Sequence, residues 1–299
     1  MKNAFCTGKN KGRSMKQKRM TEDEHIVPVF VLKKYCGDDA KLCVYDRREN
    51  RHFYAEPRNV FFQKNIYESR NSDGSYYNQN AIENRFSSIE DLAATSIRNI
   101  VNSKNASVEV PSDCHAICML FVALQLIRGA HIKEMILSAL PKDYMTEEEN
   151  RIYNVAMYRM LIYSRQEGMD FLRENGLGMS SEIEALLKGD TFLDRAGSFI
   201  ASQCVIYYVF TNDDYPFIIS DNPVVVDYDE RVKYVFPVSP NMALCCRLFE
   251  HAEDKHFGGY YDIEKDEVIA INQRVYDQAI RFVGYQPGKQ DWLNERIRM

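Results

Sequence analysis

The segment from Cys114 to Arg128 constrains this chain more than any other. Pro111-Ser112-Asp113 supplies a helix start, and the helix that follows is apolar on nearly every side. A helix without a polar face has to be surrounded, so this one predicts a centre on which other elements pack. Two polar residues lie on it nevertheless. Gln125 and Arg128 are three positions apart and share a face. Burying an unpaired amide costs about 1–3 kcal/mol, and a guanidinium more. The helix therefore predicts a polar interior along with a core.

Helical spacing continues on both sides of it. Asn80 to Ile100 carries Ile82, Phe86, Ile89, Ala93 and Ile97 as one apolar stripe. Thr146-Glu147-Glu148-Glu149 starts a third helix running through Tyr163, and Ser180 or Ser181 starts a short fourth ending at Gly189. Strand signals flank this helical middle. Residues 25–35 form an apolar, β-branched run that reads as a strand or a short helix. Lys41–Asp46 and His52–Ala55 read as a hairpin across the charged Arg47–Arg51 segment, and Asn71–Ser75 reads as a loop. Phe192–Tyr208 reads as a helix or a strand, and Phe217–Asp227, Lys233–Val238 and Ala243–Phe249 read as strands. Val268 to Tyr285 reads as an amphipathic helix with Ile271, Val275, Ala279 and Phe282 on one face, stopped by Gly284 and Pro287. The expected class is α+β: a mixed or antiparallel sheet built from N- and C-terminal strands, with the helical middle packed on it.

Residues 1–19 are expected to be a disordered basic tail and residues 20–299 a single domain. The tail holds Lys2, Lys9, Lys11, Arg13, Lys16, Lys18 and Arg19 and no acidic residue, which suits a solvated arm or a contact with nucleic acid. Met20 is an alternative start of translation that would remove it. The net charge of -5 argues against nucleic-acid binding by the chain as a whole. Eight cysteines lie scattered without a Cys-x-x-Cys pair, and the histidine spacing gives no zinc pattern. Free thiols in a reducing cytoplasm are the expectation. The longest apolar run, Ile117 to Ile127, is short of the roughly 20 residues a bilayer needs, and the N-terminus has no apolar export region, so no membrane partner is expected.

Polar residues set into apolar segments mark the candidate site. His25 opens an apolar run; it either satisfies a buried hydrogen bond or transfers a proton near neutral pH. Arg128 either caps the last carbonyls of its helix, with Gly129 following, or meets an anion. Glu83 and Glu90, two helical turns apart, are surface carboxylates, a divalent-cation pair, or partners for Arg128. Ser220-Asp221-Asn222-Pro223 follows an apolar strand, where Asp221 either makes a turn or orients His25, binds metal or acts as a base. Asn272 lies next to Ile271 and either orients a catalytic group or ties the C-terminal part to the sheet.

These pieces together resemble a known family. The opening His25-Ile26-Val27-Pro28-Val29-Phe30-Val31-Leu32-Lys33-Lys34-Tyr35 is similar to the signature of the large, mainly bacterial domain-of-unknown-function family 4238. Lys41–Asp46, Glu83 and Glu90, Phe121–Gln125 with Arg128, Phe217–Pro223, Pro237-Val238-Ser239-Pro240 and Ile271-Asn272 resemble it in the same order, over roughly residues 24–285. After the helix-ending arginine the resemblance implies Thr-Pro, where this chain has Gly129-Ala130. It implies one domain with a shared polar centre and supplies no reaction.

From the residues, the expected function is an intracellular hydrolase of a phosphodiester or other phosphate-bearing substrate, nuclease-like in chemistry. His25, Arg128 and Asp221 are its candidate catalytic residues, and Gln125, Ser220, Asn222 and Asn272 its candidate substrate-binding side chains. Glu83 and Glu90 would hold a divalent metal ion. The alternative is a non-enzymatic binding or regulatory domain that recognises a small anionic ligand.

Overall fold

The computed structural model describes residues 23–64, 75, 80–129, 146–162, 164–178, 202–227, 233–248 and 259–296. The basic tail, the 71–74 part of the expected loop and the expected fourth helix at 180–189 lie outside the described residues.

The N-terminal part supplies β1 (Asp23–His25), a one-turn helix α1 (Val29–Leu32), β2 (Leu42–Asp46), β3 (Arg51–Ala55) and β4 (Phe62–Lys64). Four longer helices follow: α2 (Ala81–Ala106), α3 (Ser112–Arg128), α4 (Glu147–Ile162) and α5 (Arg165–Glu174). The C-terminal part holds β5 (Cys204–Phe210), β6 (Ile219–Ser220), β7 (Val225–Asp227), β8 (Lys233–Ser239), β9 (Met242–Leu248), β10 (Gly259–Asp262), α6 (Lys265–Asp277), β11 (Phe282–Tyr285) and α7 (Gln290–Arg296). The fold is α+β, as the pattern predicts.

A five-stranded sheet in the order β10-β5-β9-β8-β7 forms the middle layer, antiparallel except for the parallel β10–β5 edge. Its period-2 alternation serves two cores at once. Cys204, Ile206 and Tyr208 of β5, with Leu244 and Cys246 of β9, join the α2 and α3 residues Phe86, Ile97, Phe121 and Leu124. Val209, Val235, Ala243 and Cys245 face the other way, into a cluster with Val268 and Val275 of α6. The predicted stripe on α2 is buried throughout, from Ile82 to Ile97. The central helix α3 buries ten of its side chains, Gln125 and Arg128 among them.

N- and C-terminal strands share a second, four-stranded sheet in the order β3-β2-β11-β6. Here the structure corrects one expectation. Val268–Tyr285 is not a single helix: α6 ends at Asp277, and Phe282–Tyr285 is the strand between β2 and β6. Helical spacing at 275, 279 and 282 is real, but pairing with two strands outweighs it. Gly284 accordingly acts as a packing residue. A Cβ there would lie 3.1 Å from Ile219, Leu42 and Phe61 side-chain atoms.

The run from His25 divides likewise. Its first residue ends β1, which pairs with β4, and Pro28 fixes the entry to α1, its carbonyl accepting from the Val31 and Leu32 amides. Thr146 and Glu149 form the reciprocal cap foreseen for α4, with Thr146 N donating to Glu149 Oε2 at 2.7 Å and Glu149 N to Thr146 Oγ1 at 3.2 Å. Ser164 starts α5, which the sequence reading did not anticipate, by accepting from the Glu167 amide. No helix among the described residues is long and apolar enough to cross a membrane.

Candidate functional site

Two helices build the centre of the site. α2 presents Glu83, Phe86 and Glu90 along one side, and the end of α3 lays Arg128 across them. The guanidinium carbon sits 4.0 Å from the Phe86 ring centroid. Nη1 donates to Glu90 Oε1 at 2.5 Å, and Nη2 lies 4.0 Å from Glu83 Oε2. The planar cation thus spans both carboxylates with an aromatic ring beneath it, at only 3% exposure. Of the alternatives open for Glu83 and Glu90, the arrangement selects partnership with Arg128. They do not converge with Asp221 on a cation, and among the described residues no group of three or more His, Cys, Asp or Glu is placed to hold one.

His25 approaches this ion pair from β1. Its ring tilts against Phe62, its pairing partner on β4, with centroids 5.8 Å apart. Burial pushes the imidazole below its usual value, and the carbonyls of Pro57 and Arg58 pull it partly back. Arg128 adds a downward push and Glu90 an upward one, so both charges lie close enough to be felt. The net direction is down, which favours the neutral ring at physiological pH. Nε2 is buried with no hydrogen-bond partner among the described residues.

Gln125 lies one turn before Arg128 on the same face of α3. One turn earlier still is Phe121, whose ring packs 5.6 Å from Phe30 of α1. The His25–Phe30 segment and this face of α3 are therefore apposed. Gln125 is 0% exposed, and neither end of its amide has a hydrogen-bond partner among the described residues. Each such buried group costs about 1–3 kcal/mol unless a partner beyond the described residues, a water or a ligand atom among the candidates, satisfies it.

The turn after β6 adjoins the end of α3. A Cβ on Gly129 would come within 2.8 Å of Asn222 Oδ1, so the glycine allows the close approach that threonine, implied by the resemblance, would obstruct. Within the turn the side chains serve the backbone. Ser220 Oγ donates to the Asn222 carbonyl at 2.9 Å, and Asn222 Nδ2 donates to the Gln278 carbonyl at 3.1 Å. Asp221 spends both carboxylate oxygens on backbone amides. Its Oδ1 accepts from the Ile280 amide at 2.9 Å, and its Oδ2 from the Arg281 and Phe282 amides at 2.9 and 3.0 Å. Burial raises its pKa while these three amides pull it down, with the net direction upward. Asn272 is as fully occupied: Oδ1 accepts from the Ile218 amide at 3.0 Å and Nδ2 donates to the Pro216 carbonyl at 2.9 Å.

The sequence-predicted set therefore separates in two. His25, Gln125, Arg128, Glu83 and Glu90 assemble where β1, α2 and α3 meet. Asp221, Ser220, Asn222 and Asn272 bind backbone and hold the sheet and α6 around that place; this corrects the expectation that Asp221 orients His25. Sequence reasoning passed over Phe86 as part of the site. Its position between Glu83 and Glu90 on one helical face was the available signal.

An α+β fold in which a half-buried histidine abuts an arginine held by two glutamates is the class that fold and site define. A family model described as "Protein of unknown function (DUF4238)" matches residues 24–289, and the chain belongs to that family. No curated protein and no solved structure matches it.

Proposed function

We propose that this protein is a hydrolase of a phosphodiester or other phosphate-bearing substrate, with His25 as the proton-transfer residue. The observation that supports the reading is the imidazole itself. It sits half-buried beside Arg128 and Glu90, burial shifts its pKa downward, and Nε2 lacks a hydrogen-bond partner among the described residues. A neutral ring accepts a proton, and Glu90 nearby stabilises the imidazolium so formed. A phosphate oxygen binds by taking the place of a glutamate on the Arg128 guanidinium, whose fork suits either group. Gln125 behind it gains the partner its amide requires, from the substrate or from a water carried with it. Asp221, Ser220, Asn222 and Asn272 act as positioning residues through the backbone they hold.

The test is turnover of bis(4-nitrophenyl) phosphate and of short oligonucleotides, with magnesium or manganese added in parallel. His25→Ala should lower turnover about 100-fold or more while the protein stays folded. Full activity in that variant would end the proposal. Stabilisation by inorganic phosphate or nucleotides without turnover would instead favour the second reading, a binding domain for a small anionic ligand. That reading has its own support in the full occupation of Asp221, which leaves His25 without that carboxylate as an orienting partner.

A further inference from the structure

On the opposite face of the five-stranded sheet from α3, a cavity of about 510 Å³ opens between the strands and α6. That volume falls within the roughly 300–1,000 Å³ typical of small-molecule sites. Its floor is the second set of strand side chains, among them Val205, Val235 and Cys245. The apolar character of this set ends at the charged register row of Lys233 and Arg247. Arg247 occupies the same face of the central strand β9, paired in register with Val205.

A guanidinium in that position is costly without a counter-ion. Arg247 Nε is buried with no hydrogen-bond partner among the described residues, and its charge reaches the neighbouring Tyr207 hydroxyl. α6 supplies the facing wall with a stripe of its own. Val268, Asn272, Val275 and Tyr276 are buried against the fold, whereas Glu267, Ala270, Ile271 and Arg274 line the cavity. Ala270 is exposed although it faces the sheet, because the cavity lies between. Arg274 brings a second guanidinium to the same space. The Glu267 carboxylate is committed to the Glu264 amide at 3.1 Å in the helix cap. Among the lining side chains two guanidinium groups stand against one carboxylate, in a chain of net charge -5. Tyr207 and Tyr261, edge to face with centroids 5.2 Å apart, provide an aromatic side.

We infer that this cavity binds a small organic anion, a flat apolar or aromatic body carrying one carboxylate or phosphate group. The head group pairs with Arg247 and Arg274, and the body lies on the valine floor against the tyrosines. The site is separate from the His25 centre, so the two stand or fall independently.

Calorimetry and thermal melting of the full chain with benzoate, hexanoate and phenyl phosphate test it, with benzyl alcohol as the uncharged control. At least one anion should bind with a dissociation constant of about 1 mM or tighter, and the alcohol at least about tenfold more weakly. Carboxylate and phosphate heads are told apart by comparing benzoate with phenyl phosphate. Arg247→Met should weaken binding at least about tenfold, and His25→Ala should leave it unchanged. If Arg247→Met does not fold, Ala270→Phe, which fills the cavity from the helix side, should abolish binding with the melting temperature preserved. The inference is overturned if no anion binds, if the alcohol binds equally well, or if the folded variants bind as the native chain does.

Discussion

Asp221→Ala isolates the role of the strand-end carboxylate. The native side chain accepts three backbone amides, from Ile280, Arg281 and Phe282, at 2.9 to 3.0 Å. It does so at 6% exposure, so water is not a ready replacement. A hydrogen bond to a charged group contributes about 1.5–3 kcal/mol, but three bonds to one anion are not additive, and the turn can relax. The expected loss is about 3–5 kcal/mol, a large share of the roughly 5–15 kcal/mol that holds a domain together. For a chain of this size it corresponds to a fall in melting temperature of about 5–8 °C. Urea unfolding followed by the fluorescence of Trp292 reports it, since that ring packs on the cluster containing Val283 and Tyr285. Hydrogen exchange gives the local measure: the amides of residues 280–282 should lose protection first. Asp221→Asn keeps one acceptor oxygen and should fall between alanine and the native residue. An alanine variant within about 0.5 kcal/mol of native stability would refute the structural role and return Asp221 to the list of catalytic candidates.

Arg128→Met should cost about 3–5 kcal/mol in urea unfolding, because it leaves Glu83 and Glu90 facing each other across Phe86; adding Glu90→Gln should recover part of the loss, and no recovery would deny the coupling. Gln125→Leu should keep or raise stability by up to about 2 kcal/mol, since it removes two buried groups that have no partner among the described residues, at nearly constant volume; a loss beyond about 1 kcal/mol would mean that the amide is satisfied in solution. His25 has a folded pKa below its ordinary 6.5. The unfolded chain therefore takes up the proton first, and the stability owed to this group is complete above pH 6.5 and is lost as pH falls toward the lowered folded value. His25→Phe should flatten the stability profile in that window, and an unchanged slope between pH 5 and pH 7 would contradict the neutral, buried ring.

How much of this was legible in the sequence depends on the range of each signal. The α2 stripe, the start of α3 at Ser112 and the Thr146 cap are local patterns, written in residues three or four apart. The β2–β3 hairpin was legible for the same reason. At the site, the shared face of Gln125 and Arg128 and the two-turn spacing of Glu83 and Glu90 were readable. Their meeting was only one alternative among three. Asp221 misled because a carboxylate after a strand looks the same whether it faces a histidine or a row of backbone amides. The 282–285 strand misled because its helical spacing is local, whereas its two pairing partners lie far away in sequence.

Hydrophobic periodicity and capping chemistry alone determined that this chain has a helical middle between strand-forming ends, with charge-bearing residues inside its core. These depend on interactions within a turn or two, which fold in any context that buries the apolar face. Tertiary structure decided which buried groups pair: Arg128 with Glu90 over Phe86, and Asp221 with the amides of residues 280–282. Those outcomes turn on distances between elements 38 to 61 residues apart, and residue spacing along a chain carries no record of them.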